Sequence, residues 1–152
     1  MKYLIIILLL CAATAIHAGN PVPSDPQATK EAVNLYQKMF RLQQKGMMFG
    51  HQDDLAYGTH WNETEGRSDV KEVAGDHPAV FGWELGHLEL GRTHSLDSVK
   101  FVNIIRWIKK VDSQGGINTI SWHFRNPLTG GSSWDVSNKQ TVASMLPKGE
   151  KH

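Results

Sequence analysis

Apolar positions recur along the chain at two different spacings. Ala32, Val33, Tyr36 and Phe40, with Leu35, Met39 and Leu42 beside them, repeat every three or four residues, the period of an amphipathic helix. Asp25-Pro26 ahead of them supplies an N-cap and a proline at the first helical position, and Gly46 supplies a stop. A second pattern of this kind, Phe101, Ile104, Ile105, Ile108 and Val111, starts at Asp97 or Ser98 and halts at Gly115-Gly116. Two weaker helices are expected, one capped by Ser68 and running to about Ala74, the other from about Asn138 to Met145. Between the helices lie three short runs that read as strands: Met47-Met48-Phe49 and Ala79 to Trp83, both apolar, and Ile117 to Trp122. Strands apolar on both faces and alternating with helices indicate an α/β fold with a parallel sheet covered by helices. Gln52 to Arg67 reads as a long polar segment.

The first residues follow a different logic. Lys2, an apolar run from Tyr3 to Ala13, and Ala15-Ile16-His17-Ala18 form the pattern of a signal peptide over residues 1–18, too short to span a bilayer. Residues 19–26, with Pro21 and Pro23, read as a linker, and residues 27–152 as one domain. The expected location is secreted or periplasmic, with no membrane attachment after cleavage. Cys11, the one cysteine, leaves with that segment, so the mature chain has no disulfide and no thiolate chemistry. Leu10 stands before Cys11 where lipid attachment needs a small residue. The formal net charge of +1 excludes a strongly basic nucleic-acid binder.

Each apolar strand ends in polar or aromatic residues: Gly50-His51-Gln52-Asp53-Asp54, then Trp83-Glu84, then Trp122-His123. Parallel α/β folds bind ligands at the carboxyl ends of their strands. No glycine-rich phosphate loop of either common type is present, which argues against a nucleotide enzyme. No G-x-S-x-G elbow is present, and Ser121 reads as structural. Indole faces suit the flat C–H faces of pyranose rings, so Trp83, Trp122 and Trp134, with His, Asn and Asp nearby, fit a sugar site; Trp83 and Trp122 fit a sheet core equally well. His51, Asp53, Asp54, His87 and His94 could bind a divalent metal, but they lack the spacing of zinc motifs, and a loop-capping role for Asp53-Asp54 is the simpler reading.

Three blocks carry a more specific signal. Phe49-Gly50-His51-Gln52-Asp53-Asp54, Val80-Phe81-Gly82-Trp83-Glu84-Leu85-Gly86-His87, and Ser121-Trp122-His123 with Asn126-Pro127-Leu128-Thr129-Gly130-Gly131 resemble glycoside hydrolase family 26, which is dominated by secreted β-mannanases. The resemblance implies a (β/α)8 TIM barrel and endo-hydrolysis of β-1,4-mannosidic bonds with retention, on β-mannan or manno-oligosaccharides and without a cofactor. Retention needs two carboxyl groups about 5 Å apart. In this family these are glutamates at the ends of the fourth and seventh strands, for which this chain shows no counterpart. A complete barrel takes about 250 residues. The expectation is therefore a truncated barrel holding about the first three β/α units, inactive alone and free to associate through an open sheet edge. The resemblance places His123 against the sugar near the cleavage point and Trp134 as a stacking surface. Asn126, Trp122 and Glu84 complete the expected substrate-binding set. A sugar-binding protein without catalysis and a metal-dependent carbohydrate deacetylase are the alternatives that the same residues leave open.

Overall fold

The computed structural model describes residues 20–151. The expected signal peptide, with Cys11, lies outside them. The described chain divides into two compact units, one ending at Met47 and the other beginning at Met48.

In the first unit, helix α1 spans Lys30–Gln43. Its cap is Thr29 rather than Asp25. Thr29 Oγ1 accepts from the backbone N–H of Ala32 at 3.2 Å, whereas Asp25 closes an earlier turn by accepting from the N–H of Gln27 at 2.8 Å. Ala28 N–H donates to the Asp25 carbonyl at 3.2 Å, closing that turn before the helix begins. Tyr36 and Phe40, one turn apart, bring their ring centroids to 5.0 Å.

In the second unit, β1 (Gly50–Gln52) is followed by a small antiparallel ribbon, β2 (Tyr57–Gly58) and β3 (Trp61–Asn62). Helix α2 (Asp69–Ala74), strand β4 (Val80–Glu84), helix α3 (Phe101–Ser113), strand β5 (Ile117–Ser121) and helix α4 (Thr141–Met145) come next. Strands β1, β4 and β5 form one parallel sheet in that order. The first strand lies beyond its expected place at Met47–Phe49. Met47 is almost fully exposed, and pairing begins at the Phe49 carbonyl, which accepts from Ala79 N–H at 3.0 Å and Val80 N–H at 3.2 Å. Ser68 caps α2 as expected, its Oγ accepting from Lys71 N–H at 3.0 Å, and Gly75 ends the helix at φ 82°, a conformation glycine adopts without strain.

Helix α3 starts later than the Asp97 or Ser98 expected. Ser95 N–H donates to the Val99 carbonyl at 2.8 Å and Ser98 N–H to the Ser95 carbonyl at 3.0 Å. That turn buries Val99 and delays the helix. The buried face of α3 is Ile104, Trp107 and Val111, flanked by Phe101 and Ile108, while Ile105 is exposed. Ile104, Trp107 and Val111 stand at i, i+3 and i+7 on one helix face, and Ile105 falls outside it.

Strand alternation sends Phe81 and Trp83 toward α3. Phe81 and Trp83 stack at 6.2 Å, and Trp83 and Trp107 at 6.0 Å, with planes within 9° and 11° of parallel. Leu55 and Ala56, from the segment expected to be polar, join the same core. The Trp83 indole N–H, which would be costly to bury alone, donates to Asn118 Oδ1 at 2.8 Å, and Asn118 Nδ2 donates to the Ile108 carbonyl at 3.2 Å. Trp83 is thus a core residue. The opposite face of the sheet, at its carboxyl end, is polar. Among the described residues no helix is long and apolar enough to cross a membrane.

Candidate functional site

The polar face is built from one residue of each strand. Gly82, in β4, has no side chain, and the Gln52 side chain lies across the space where a Cβ would stand. Gln52 Nε2 thereby reaches over the middle strand to Ser121 Oγ at 3.4 Å. Ser121 Oγ in turn donates to Glu84 Oε2 at 2.7 Å.

Glu84 is almost fully buried, and four donors converge on its carboxylate. Oε1 accepts from the N–H of Gly86 at 2.6 Å and of His123 at 2.8 Å. Oε2 accepts from Ser121 Oγ, and His123 Nδ1 lies 2.7 Å from it. Burial works against ionisation here, but the donors from His123, Ser121 and Gly86 outweigh it and hold the carboxyl below its ordinary range.

His123 follows β5 with its side chain 51% exposed. Its ring pairs with that of Trp134 at 6.5 Å and 29° between planes. Trp134 is 81% exposed, the open face of the pair. The loop that carries it is organised by Asn126. The Asn126 side-chain amide donates to the Asp135 carbonyl at 2.9 Å and to Thr141 Oγ1 at 3.0 Å. Its Oδ1 accepts from Leu128 N–H at 3.0 Å and Thr129 N–H at 3.3 Å. Asp135 also accepts from the Thr129 hydroxyl and, at 2.9 Å, from Ser137 N–H. Gly131 passes so close to the Asp135 carboxylate that a Cβ there would collide with it. Trp122 pairs with Phe124 at 5.8 Å, edge to face, and its indole N–H donates to Glu89 Oε2 at 3.1 Å. An open hollow of about 610 Å³, within the size range of sugar and small-ligand sites, is lined by Trp122, His123, Phe124, Asn126, Asp135 and Thr141 among others.

The structure thus brings His123, Trp134 and Trp122 to one end of the sheet with exposed rings. Glu84 and Asn126 differ from the expected sugar contacts. Both are buried, and their polar atoms are engaged inside the chain, by the donors around Glu84 and by the loop around Asn126. Gln52 and Glu89 were not singled out by the sequence; Glu89 Oε1 also accepts from Arg125 N–H at 2.9 Å. The signal that could have found Gln52 is the glycine facing it across the strand pair.

Asp53 and Asp54 are buried rather than loop caps on the surface. Asp54 Oδ1 accepts from Ser68 Oγ at 3.0 Å. Asp53 sits at φ 53°, and its Oδ1 has no hydrogen-bond partner among the described residues. Burial, then the neighbouring charge of Asp97, pushes its carboxyl up to about 7. Two carboxyls at one sheet end are therefore driven apart, Glu84 toward ionisation and Asp53 toward the neutral acid. Among the described residues no three His, Asp or Glu side chains are gathered as metal ligands.

The chain is similar to known proteins. A β-mannanase structure from Bacteroides ovatus is 47% identical and superposes with a TM-score of 0.76, covering 82% of this chain and 36% of its own. An endo-β-1,4-mannanase double mutant from Cellulomonas fimi is 34% identical with a TM-score of 0.70, covering 88% of this chain and 31% of its own. A curated mannan endo-1,4-beta-mannosidase from Bifidobacterium adolescentis is 34% identical over 88% of this chain, which spans 13% of that protein's length. The structural neighbours imply a (β/α)8 barrel as the fold to which the three parallel strands belong. The model of glycosyl hydrolase family 26 matches residues 24–147, and the chain belongs to that family.

Proposed function

We propose that the chain is the N-terminal, sugar-binding part of an exported endo-β-1,4-mannanase that acts with retention on β-mannan or manno-oligosaccharides. In this reading residues 1–18 direct export to a secreted or periplasmic location and are removed, and residues 19–26 are a linker. Residues 27–152 supply the first three β/α units of the barrel. The observation that carries the reading is the His123–Trp134 pair, a ring nitrogen beside an exposed indole face at the carboxyl end of a parallel sheet. The indole offers a flat apolar surface to a pyranose, and the imidazole a hydrogen-bonding group for one of its hydroxyls. Trp122 extends the aromatic lining, while Glu84 and Asn126 serve by holding the others in place.

The reacting carboxyl pair belongs, in this reading, to strands outside the three described. Retaining hydrolysis requires a free acid/base and a free nucleophile about 5 Å apart. Glu84 has both oxygens saturated by four donors, and Asp53 is fully enclosed. The chain also spans only 36% of the Bacteroides ovatus enzyme.

The test joins residues 27–151 to the complementary part of that enzyme and measures release of manno-oligosaccharides from β-mannan. The chimera is expected to hydrolyse mannan and the 152-residue chain alone to release nothing above buffer. An imidazole–hydroxyl bond is worth about 0.5–1.5 kcal/mol net, and more if its partner is left buried and unpaired. His123→Ala in the chimera should therefore lower kcat/KM about tenfold or more with the melting temperature nearly unchanged. Hydrolysis by the chain alone would overturn the assignment of the pair. Binding to mannan without any hydrolysis in the chimera would favour a carbohydrate-binding role instead.

A further inference from the structure

We propose that Glu84 is a positioning residue, whose carboxylate clamps both the backbone and the ring of His123 and fixes which imidazole nitrogen faces the substrate. The proposal rests on the sugar-binding reading of His123 given above and adds how that contact is prepared and which kind of substrate group it takes.

The geometry is specific. Glu84 ends β4 and pairs with Ser121 in the neighbouring strand. One of its oxygens holds the His123 backbone N–H at 2.8 Å and the other lies 2.7 Å from His123 Nδ1. Main chain and side chain of the same residue are thus tied to a single group, which leaves the imidazole little freedom to swing. The carboxylate is itself held by Ser121 Oγ and Gly86 N–H, and Ser121 by Gln52 reaching across Gly82. The positioning therefore draws on all three strands.

The tautomer follows from the donor and acceptor inventory. An ionised carboxylate only accepts, so the contact at Nδ1 requires a proton on Nδ1. In the neutral ring Nε2 is then a bare acceptor. The imidazole ring pairs with the exposed Trp134 ring, so a sugar lying on the indole would be read through a hydroxyl that donates its proton to Nε2. A substrate group that only accepts, such as fluorine or a methyl ether in place of that hydroxyl, would lose the contact.

Glu84→Gln gives a discriminating test. Two of the four donors around Glu84 are backbone N–H groups that cannot turn away. They should draw the Gln carbonyl to the Oε1 position and leave its NH2 facing Ser121 Oγ and His123 Nδ1. The ring would then have to accept at Nδ1 and carry its proton on Nε2. The measurements are nitrogen-15 NMR of labelled imidazoles, with the His123 signals assigned by their loss in His123→Ala, and mannan kinetics in the chimera.

The expected result is a proton on Nδ1 in the parent and on Nε2 in Glu84→Gln. Glu84→Gln should also lose kcat/KM about tenfold, and lose nothing further when combined with His123→Ala. A parent His123 protonated on Nε2 with a bare Nδ1 would overturn the proposal even if Glu84→Gln does not fold. So would losses that add in the double variant, because Glu84 would then act on something other than His123. If His123→Ala leaves hydrolysis unchanged, the sugar-binding reading fails, while the tautomer measurement still decides whether Glu84 sets the ring.

Discussion

Replacing Asp53 by Asn should make the barrel more stable at neutral and alkaline pH, and by a predictable amount. Asp53 is fully buried, one of its oxygens has no partner among the described residues, and Asp97 adds negative charge nearby. Burial first, and Asp97 second, move its carboxyl from 3.8 to about 7. A group whose folded value lies above its unfolded one holds its proton longer in the native state. Stability therefore falls as pH rises between about 4 and 7 and is level above that window. At about 1.36 kcal/mol per unit the penalty is roughly 4 kcal/mol, and allowing for solvent screening it is of order 2–4 kcal/mol. Asn has the shape of the neutral acid, never ionises, and is well suited to the left-handed backbone at φ 53°. Urea denaturation of the chimera should give equal stability for parent and Asp53→Asn near pH 4, and an advantage of about 2–4 kcal/mol for the variant at pH 8. The carboxyl of Asp97 is also raised, by burial and then by Glu84, so it adds a slope of the same sign. The difference between variant and parent isolates Asp53 together with its coupling to Asp97. The stability of Glu84 runs the other way, being lost only as pH falls below its ordinary range. A parent whose stability is flat from pH 5 to 8 and matches Asp53→Asn throughout would show that Asp53 is not held neutral in the fold.

Two further outcomes follow from the packing. Trp83→Ala empties the middle of the Phe81–Trp83–Trp107 stack and should cost about 3–5 kcal/mol by urea denaturation, more than any change at the exposed rings. Trp134→Ala removes a side chain that is 81% exposed, so stability should stay within about 0.5 kcal/mol while the affinity of the chimera for manno-oligosaccharides, read by calorimetry, falls about tenfold.

Much of this was readable in the residues because burial leaves a direct mark on them. Strand β4 shows as an apolar run, and the Ser68 cap of α2 is a local signal that nothing distant overrides. What failed to show depends on partners far along the chain. Strand β1 is polar in sequence, and only pairing with β4 makes Gly50 to Gln52 a strand. Leu55 and Ala56 were hidden in a polar segment because their burial comes from α3, about fifty residues later. Glu84 and Asn126 read in sequence as sugar contacts, and in the structure both are buried. Their side chains turn inward, and a sequence names the residue without saying which donors reach it. Likewise Trp83 and Trp134 look alike in sequence, but the first lies on the helix-facing side of the sheet and the second on a solvent-facing loop.

We propose that the carboxyl end of these three strands is a mannan-binding surface centred on His123 and Trp134. The most direct measurement is a crystal structure of the chimera with a manno-oligosaccharide bound. A mannose ring should lie against the Trp134 face with one hydroxyl within hydrogen-bond distance of His123 Nε2, while Glu84 stays beneath the imidazole and touches no sugar. A saccharide bound elsewhere in the barrel, with His123 and Trp134 left bare, would contradict it.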